Sequence, residues 1–264
     1  MEKINWSAVF AIILRHIYTW RRDLDRLVDS FWWATMDLVF WGLTSTYVSQ
    51  YNLGFDIVAV FIGGIIFWSV VLGSQRDINM PLLDEAWNRN LINLFTTPIT
   101  ITEFVIATLI LGLTKLILTM SFLSLLAFVL YQYNIFRYGF FILPAFASLI
   151  LTGWTVGLFI DGLILRYGYK VQSFAWALLF VIYPFSAVIY PVDILPEWAR
   201  LISKLVPTSY VFENMRSVLF SGSINSSQLM VTFILNLIYL SLSLFFLRSM
   251  FKFALKTGRL IKLN

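Results

Sequence analysis

Cysteine is absent from this chain of 264 residues, and histidine occurs once, as His16. Without cysteine the chain can form neither disulfides nor thiolate metal sites, and one imidazole has no second imidazole to complete a histidine ligand set. The phosphate-loop pattern G-x-x-x-x-G-K-[ST] is also missing, as are a nucleophile–histidine set, zinc spacing and a dinucleotide glycine motif. We therefore expect no enzyme active site, no metal site and no cofactor bound by this chain itself.

Charged side chains are scarce as well. They make up 12% of the residues, about half the fraction found in ordinary globular chains. Hydrophobic residues make up 59% and aromatic residues 18%, and the mean hydropathy is +0.82. One soluble core cannot hide so much apolar surface, so the composition indicates a membrane protein. The formal charge of +5 does not indicate nucleic-acid binding, because most of the cations flank apolar runs.

Six apolar runs are long enough, at about 17–25 residues, to cross a bilayer as helices. We therefore predict an all-α polytopic membrane protein that forms one transmembrane domain over 1–264. In the fourth run, Gly153 and Gly157 are four residues apart and predict a close approach to a neighbouring helix. The predicted spans are 28–50, 55–73, 104–131, 138–165, 171–190 and 229–251.

The basic residues indicate the orientation. Most of the 19 lysines and arginines lie before the first span, after the last span, or in the loops that follow spans two and four. Short loops rich in lysine and arginine stay in the cytoplasm. We therefore expect a protein of the inner (cytoplasmic) membrane with both termini in the cytoplasm.

The segment 4–22 is apolar but too short to span before Arg15 and His16 interrupt it. Its periodicity predicts an amphipathic helix that lies in the cytoplasmic interface among membrane lipids, with His16 as an interfacial polar residue. The acidic residues Asp23, Asp25 and Asp29 follow; their mixture with arginines is more typical of a solvated turn than of a metal site. The residues on the apolar face are Trp6, Val9, Phe10, Ile13, Ile17 and Trp20.

A polar interval at 75–103 separates the second and third spans. Its apolar residues recur every three to four positions, which predicts a short amphipathic helix at 79–97. Asn79 can cap the start of this helix, Pro81 suits its first turn, and Pro98 stops it. Such a helix on a cytoplasmic loop can receive force from a soluble partner, so we interpret it as a coupling helix.

Three charged residues lie within predicted spans. Asp37 is near the middle of the first span, Lys115 is at a comparable depth in the third, and Asp161 is near the cytoplasmic end of the fourth, where water can reach it. A charge at the bilayer centre costs at least about 2.5 kcal/mol, so neither Asp37 nor Lys115 should face lipid. We expect Asp37 and Lys115 to form an ion pair or a buried polar network; a polar lining of a transport pathway is the alternative.

The interval 192–220 lies on the outer side and is neither plainly polar nor apolar enough to span twice. Pro196 fits the first turn of one amphipathic helix, Pro207 breaks it, and Thr208 can cap a second. With Pro184 bending the fifth span, this pattern predicts two short helices that form a re-entrant hairpin in the outer leaflet. The alternative is an amphipathic helix resting on the outer surface.

Three segments, in this order, resemble the permease subunit of ABC-2 type transporters, an exporter family. The first is the basic amphipathic N-terminal helix. The second, D-E-A-W-N-R-N-L-I-N-L-F-T-T-P-I-T-I-T-E at 84–103, is similar to the family's acidic, helical T-P-I-x-x-x-E region. The third, I-L-P-E-W-A-R-L-I-S-K-L-V-P-T-S-Y-V-F-E-N-M-R-S-V-L at 194–219, resembles its P-x-W … P-x-x-Y … R segment. Residues 88–90 depart from the basic residue and Gly-Thr pair of many members, which leaves the subfamily open.

The resemblance implies that the chain forms a translocation pathway as a homodimer, or as a dimer with a similar permease. Two cytoplasmic ABC ATPase subunits would drive it and would bind ATP and magnesium. The residues implied to couple to the ATPases are Asp84, Glu85, Trp87, Asn88, Arg89 and Leu91. Those implied for a re-entrant gate are Trp198, Pro207, Tyr210, Glu213 and Arg216.

The substrate is open at this point. A drug-like, lipid or other amphipathic molecule is favoured, and a lipid-linked polysaccharide or a teichoic-acid-like glycan is the alternative. A function of another class is a membrane-embedded transferase acting on lipid carriers, with Asp23 and Asp25 as metal ligands. A third alternative is a passive channel or scaffold, which would show no dependence on ATP.

Overall fold

The computed structural model describes residues 4–22, 24–51 and 56–258, and within these ranges it contains helices and no strand. Short 3-10 helices lie at Ile135–Phe141, Gly168–Val171, Tyr183–Phe185 and Val192–Ile194. The α-helices of these ranges are α1 (Trp6–Arg22), α2 (Leu24–Ser49), α3 (Ile57–Trp87), α4 (Leu91–Thr96), α5 (Ile101–Tyr131), α6 (Ile142–Tyr167), α7 (Gln172–Ile182), α8 (Glu197–Ser203), α9 (Pro207–Ser221) and α10 (Ser226–Lys256).

Several of these helices are suited to a bilayer, and the predicted all-helical class is confirmed. One candidate span contains both α6 and α7, which a backbone turn at Gly168 (φ 77°) separates. Helix α2 is not a candidate, because its tryptophans, hydroxyl side chains and Asp37 lower its hydropathy. The count of six crossings therefore stays a prediction. The four candidates among the described residues are Ile57–Trp87, Ile101–Tyr131, Ile135–Phe185 and Ser226–Lys256.

Helix α3 is the centre of the bundle. Every residue from 62 to 71 is buried, and 78% of its most apolar stretch is buried, against 17% for α10. A helix that is hydrophobic all round must be covered by neighbours on every side. Helices α2, α5 and α6 supply that cover, and α10 packs on α6 from the outside.

Two glycines bring α6 against α3. A Cβ atom on Gly153 would lie 2.6 Å from the Cβ atom of Ser74 and 2.7 Å from the carbonyl oxygen of Val71. A Cβ atom on Gly157 would lie 3.2 Å from the carbonyl oxygen of Gln75. The close approach predicted from these glycines is confirmed, and its partner is the central helix.

Helix α1 forms over nearly all of the predicted interfacial segment. Val9 and His16 are buried, and α1 packs against α5. Trp6 and Phe10 point away from the bundle and are exposed. The predicted apolar face is thus divided between protein and surroundings, and His16 lies on the side that packs against the bundle. The position of α1 in a membrane interface stays a prediction.

Helix α7 is shorter than the predicted span 171–190. It ends at Ile182 after 11 residues, a length of about 16 Å. A 3-10 turn that contains Pro184 follows, and Ala187 then takes a left-handed conformation with φ 57°. Pro184 therefore lies where the α-helix ends, since its ring cannot continue the helical hydrogen bonds.

Two short helices, α8 and α9, occupy the interval 192–220, as predicted, and their re-entry into a membrane stays a prediction. Helix α9 begins at Pro207 after Val206, which provides no side-chain cap. The hydroxyl of Thr208 does not cap this helix; it donates to the hydroxyl of Ser186, 2.8 Å away. Proline at the first helical position explains this, because it has no N–H that needs a cap.

The α3–α6 contact can be tested with alanine. Gly153→Ala should lower the free energy of unfolding by about 1–3 kcal/mol, because the added methyl meets backbone atoms of α3 that cannot move aside. Gly73→Ala is the control, since its methyl meets only the flexible end of Leu116 at 3.2 Å. The measurement is thermal unfolding of both purified variants in one detergent. Equal stability of the two variants would show that α3 and α6 are not in close contact at Gly153.

Candidate functional site

The connection between α3 and α5, residues 87–100, forms an exposed surface at one end of the bundle. Arg89 takes a left-handed conformation with φ 53°, which reverses the chain after α3. The side chain of Asn88 donates to the carbonyl oxygen of Asp84 at 2.8 Å and covers the end of that helix. Trp87, Asn88 and Arg89 are exposed, and so is Asn93 on the outer side of α4. An aromatic ring and polar side chains thus face outward together.

The coupling helix predicted at 79–97 differs from the observed structure. Helix α3 continues through Pro81 to Trp87, and only the short α4 represents the second half of the predicted helix. Asn79 is not a cap but a buried residue whose side chain bonds to α6. The helix continues because Leu82 and Leu83 are fully buried against the bundle, and this packing outweighs the hydrogen bond lost at proline.

Glu85 holds the connection in place. One carboxylate oxygen lies 2.5 Å from Nη2 of Arg15 on α1, and the other accepts from Nδ2 of Asn90 at 2.6 Å. The backbone N–H of Asn90 also donates to the carbonyl oxygen of Glu85 at 2.8 Å. Glu85 is buried, and an ionised carboxylate in that position needs such partners. Glu85 therefore joins α1, α3 and the connection.

Glu103 performs a similar task at the start of α5. It forms a reciprocal capping box with Thr100, in which each side chain accepts from the backbone N–H of the other residue. Its second oxygen accepts from the backbone N–H of Asn5 at 2.7 Å, which joins the chain before α1 to α5. The T-x-x-E spacing in the sequence is a sufficient signal for this cap, and the sequence reasoning above did not use it.

Helix α4 is held by apolar contacts. Leu91 and Leu94 are buried in the core. The ring of Phe95 packs edge-on against Phe251 of α10 and Phe104 of α5, with centroids 4.8 and 6.2 Å apart. The end of α10 therefore lies beside the connection, and α4 contacts both α10 and α5.

The six predicted coupling residues divide by exposure. Trp87, Asn88 and Arg89 are accessible to a partner. Glu85 and Leu91 are buried and have internal roles, and Asp84 is half-buried. Trp87 is 43% exposed, and its indole N–H donates to Oε1 of Gln172 at 2.8 Å, so it also touches the start of α7.

The charged residues within the predicted spans have other partners than the sequence suggested. Lys115 forms its ion pair with Asp77 of α3 at 2.9 Å. The predicted Asp37–Lys115 pair is therefore wrong; the lysine joins α5 to α3 rather than to α2. Asp77 lies in the part of α3 that was assigned to a cytoplasmic loop, and for that reason it was not considered as a partner.

Asp161 belongs to a second buried network. Nδ2 of Asn79 donates to Oδ1 of Asp161 and to the carbonyl oxygen of Gly157, both at 2.7 Å. Gln75 donates to Asn79 and to the carbonyl oxygen of Ala175 in α7. Asp161 is only 2% exposed, so the expectation that water reaches it is wrong. The network joins α3, α6 and α7.

At the opposite end of the bundle, α9 is bound to the turn after α7. Nη1 of Arg216 donates to the carbonyl oxygen of Ala187 at 2.7 Å, and Nη2 donates to Oε1 of Glu213 at 2.8 Å. The same glutamate oxygen accepts from the backbone N–H of Val192 at 2.7 Å. Of the other predicted gate residues, Pro207 is buried at the start of α9. Trp198 is exposed, and the hydroxyl of Tyr210 donates to the carbonyl oxygen of Lys204.

A metal site was weighed from the sequence only at Asp23, Asp25 and Asp29. Asp23 and the side chains of Asp25 and Asp29 lie outside the described residues. Among the residues that the structure describes, no group of three or more histidine, aspartate or glutamate side chains could hold a metal ion. At both ends of the bundle, the described polar side chains form hydrogen bonds that connect neighbouring helices.

Comparison with known proteins identifies the family of this chain. The family model for the ABC-2 type transporter matches residues 7–220, a stretch that contains both the α3–α5 connection and α9. A search of curated proteins gives no significant match. The match covers most of the chain, and with the apolar helices it indicates a multi-pass membrane protein whose family normally pairs with cytoplasmic ATPase subunits. This chain belongs to the ABC-2 type transporter family and is a permease component.

Proposed function

We propose that this permease component carries an exported substrate between two copies of itself, or between itself and a similar permease. Two separate ABC ATPase subunits dock on the α3–α5 connection from the cytoplasm and supply the bound ATP and magnesium. The protein lies in the inner (cytoplasmic) membrane with both termini in the cytoplasm. The exposed end of one continuous central helix is the observation that carries this proposal.

Helix α3 is suited to transmit a push. Its 31 residues give a length of about 46 Å, more than the bilayer core of about 30 Å. One end carries the exposed Trp87, and the other carries Asp56, which pairs with Arg137 at 3.1 Å. Because α3 contacts α2, α5 and α6 along its length, a displacement at Trp87 reaches the whole bundle.

Helix α1 provides a second path for the same force. It is joined to the end of α3 by Arg15 and Glu85, and to the start of α5 by Asn5 and Glu103. A partner that moves the connection therefore moves α1 with it. This arrangement favours a docking surface that includes α1 as well as the exposed residues of the connection.

The outer exit would be controlled by α8 and α9. In the described structure α9 is bound through Arg216 to the carbonyl oxygen of Ala187, directly after the turn that follows α7. Helix α7 in turn contacts Trp87 through Gln172. A movement at the connection can thus be passed along α7 to the bond that holds α9.

The exported molecule is, on this proposal, a drug-like, lipid or other amphipathic compound. Export of a lipid-linked polysaccharide or teichoic-acid-like glycan is the alternative. The transferase hypothesis depends on Asp23 and Asp25 and would require turnover without any ATPase partner. None of the described contacts favours it over export.

Trp87→Ala tests the docking surface. The variant should insert normally, but transport per ATP hydrolysed should fall by about tenfold or more, as expected when a central interface tryptophan is removed. Vesicle transport with the bound ATPase measures this. Phe140→Ala is the matched control, since it removes an exposed aromatic ring at the opposite end of the bundle. Unchanged flux in Trp87→Ala would remove the docking proposal.

Arg15 and Glu85 can be tested as a pair. Arg15→Ala and Glu85→Gln should each reduce ATP-driven transport, and the double variant should lose less than the sum of the two. Contacting residues in one network typically show about 0.5–3 kcal/mol of coupling. The double-mutant cycle is measured on transport and on thermal unfolding. Strict additivity in both would mean that α1 and the connection work independently.

The orientation can be tested by single cysteines, because the chain has none of its own. Thr96→Cys lies on the exposed side of α4, and Ser223→Cys lies in the exposed loop after α9. A membrane-impermeant maleimide should label Ser223→Cys in intact cells and Thr96→Cys only after permeabilisation. The opposite result would place the connection outside, where no cytoplasmic ATPase could reach it.

A further inference from the structure

One carboxylate on α2, which the sequence predicts to span the membrane, has no ion-pair partner among the described side chains. Asp37 lies at the middle of α2; no described side chain forms a hydrogen bond or ion pair with it, and its electrostatic neighbour is Tyr183, just after α7. Its side chain is exposed on a surface of large apolar residues, which include Trp33, Met36 and Phe40. The nearby Lys115 is already paired with Asp77.

A carboxylate without an ion-pair partner, on a helix predicted to span the bilayer, can take a counter-charge from outside the chain. The other buried carboxylates all have internal donors: Glu85 has Arg15, Glu103 has the N–H of Asn5, and Asp161 has Asn79. Ionisable residues inside membranes that lack such structural partners mark paths for ions or substrates. Asp37 therefore belongs to function rather than to packing.

A small cavity adjoins Asp37 between α2, α3 and α5. Its volume is about 50 Å³, and Trp33, Asp77 and Thr119 help to line it. This space accommodates a few water molecules or one small polar group, not a whole drug-sized ligand. The rest of a ligand would lie on the apolar surface outside, beside Trp33 and Phe40. Such a site fits a molecule with a small charged head and an apolar body.

We propose that Asp37 and Trp33 receive the cationic head group of an amphipathic substrate on its way through the permease. The carboxylate supplies the counter-charge, and the indole ring attracts a cation to its face. This proposal rests on the export function and narrows its substrate to amphipathic organic cations. Arg76 also lines the cavity, but it has interactions of its own, whereas Asp37 forms no ion pair with a described side chain.

The test uses two fluorescent probes with the same diphenylhexatriene body, one with a trimethylammonium head and one with a carboxylate head. Binding is measured on the full-length permease in phosphatidylcholine nanodiscs, with empty nanodiscs as background. The wild-type protein should bind the cationic probe about tenfold or more tightly than the anionic one. Asp37→Asn should remove that preference, because the ion pair between the carboxylate and the ammonium head is lost. Asp37→Glu should retain it.

Trp33 provides a second, independent variant. Trp33→Phe keeps an aromatic face and should retain cation binding, whereas Trp33→Leu should weaken it several-fold. Preference for the anionic probe, or equal binding by wild type and Asp37→Asn, would overturn the proposal. So would a loss of dimer in Asp37→Asn with unchanged probe binding, which would make Asp37 an interface residue.

The failure of this proposal can be told apart from failure of the export function. Probe binding is measured on the permease alone, without ATP or a partner. Capture of an ATPase by the exposed connection is measured separately, with Trp87→Ala as the negative control. A permease that captures its ATPase but ignores the cationic probe would retain its function and lose only the assigned substrate class.

Discussion

The burial of α3 on every side is the constraint on which the rest of the structure depends. Because residues 62 to 71 of this helix are all buried, its neighbours must approach closely. Gly153 and Gly157 allow α6 to reach its backbone. Polar groups enclosed by such packing need partners across the helix interfaces. The Asn79–Asp161 hydrogen bond and the Lys115–Asp77 ion pair supply such partners. In each of them α3 contributes one residue, Asn79 or Asp77.

The same constraint explains why α3 passes through Pro81 without ending. Proline removes one helical hydrogen bond and disturbs the preceding turn, yet Leu82, Leu83 and Ala86 remain buried beyond it. The central helix therefore extends past the core and delivers its last residue, Trp87, to the surface. A partner that binds there acts on the best-packed element of the protein rather than on a loose loop.

Sequence reasoning predicts those features that depend on local pattern. The helical class, α1, the pair α8 and α9, and the glycine contact follow from periodicity and spacing. It fails where partners are chosen by the register between distant helices. Lys115 pairs with Asp77, not Asp37, because α3 extends further than hydropathy suggests. The sequence places Asp161 near the cytoplasmic end of its span, where water is expected. In the structure it is buried and accepts a hydrogen bond from Asn79. The role of Glu103 was accessible from the T-x-x-E spacing alone.

The distribution of satisfied and unsatisfied groups separates structure from function in this family member. Glu85, Glu103 and Asp161 are buried and bonded within the chain, so their charges or dipoles serve to join helices. Trp87 and Asp37 are exposed; Trp87 makes one side-chain hydrogen bond within the chain, and Asp37 forms no ion pair with the described side chains. Exposed aromatic and charged groups of this kind are available for contacts outside the chain. The connection and the middle of α2 are therefore the places where we propose that a partner and a substrate bind.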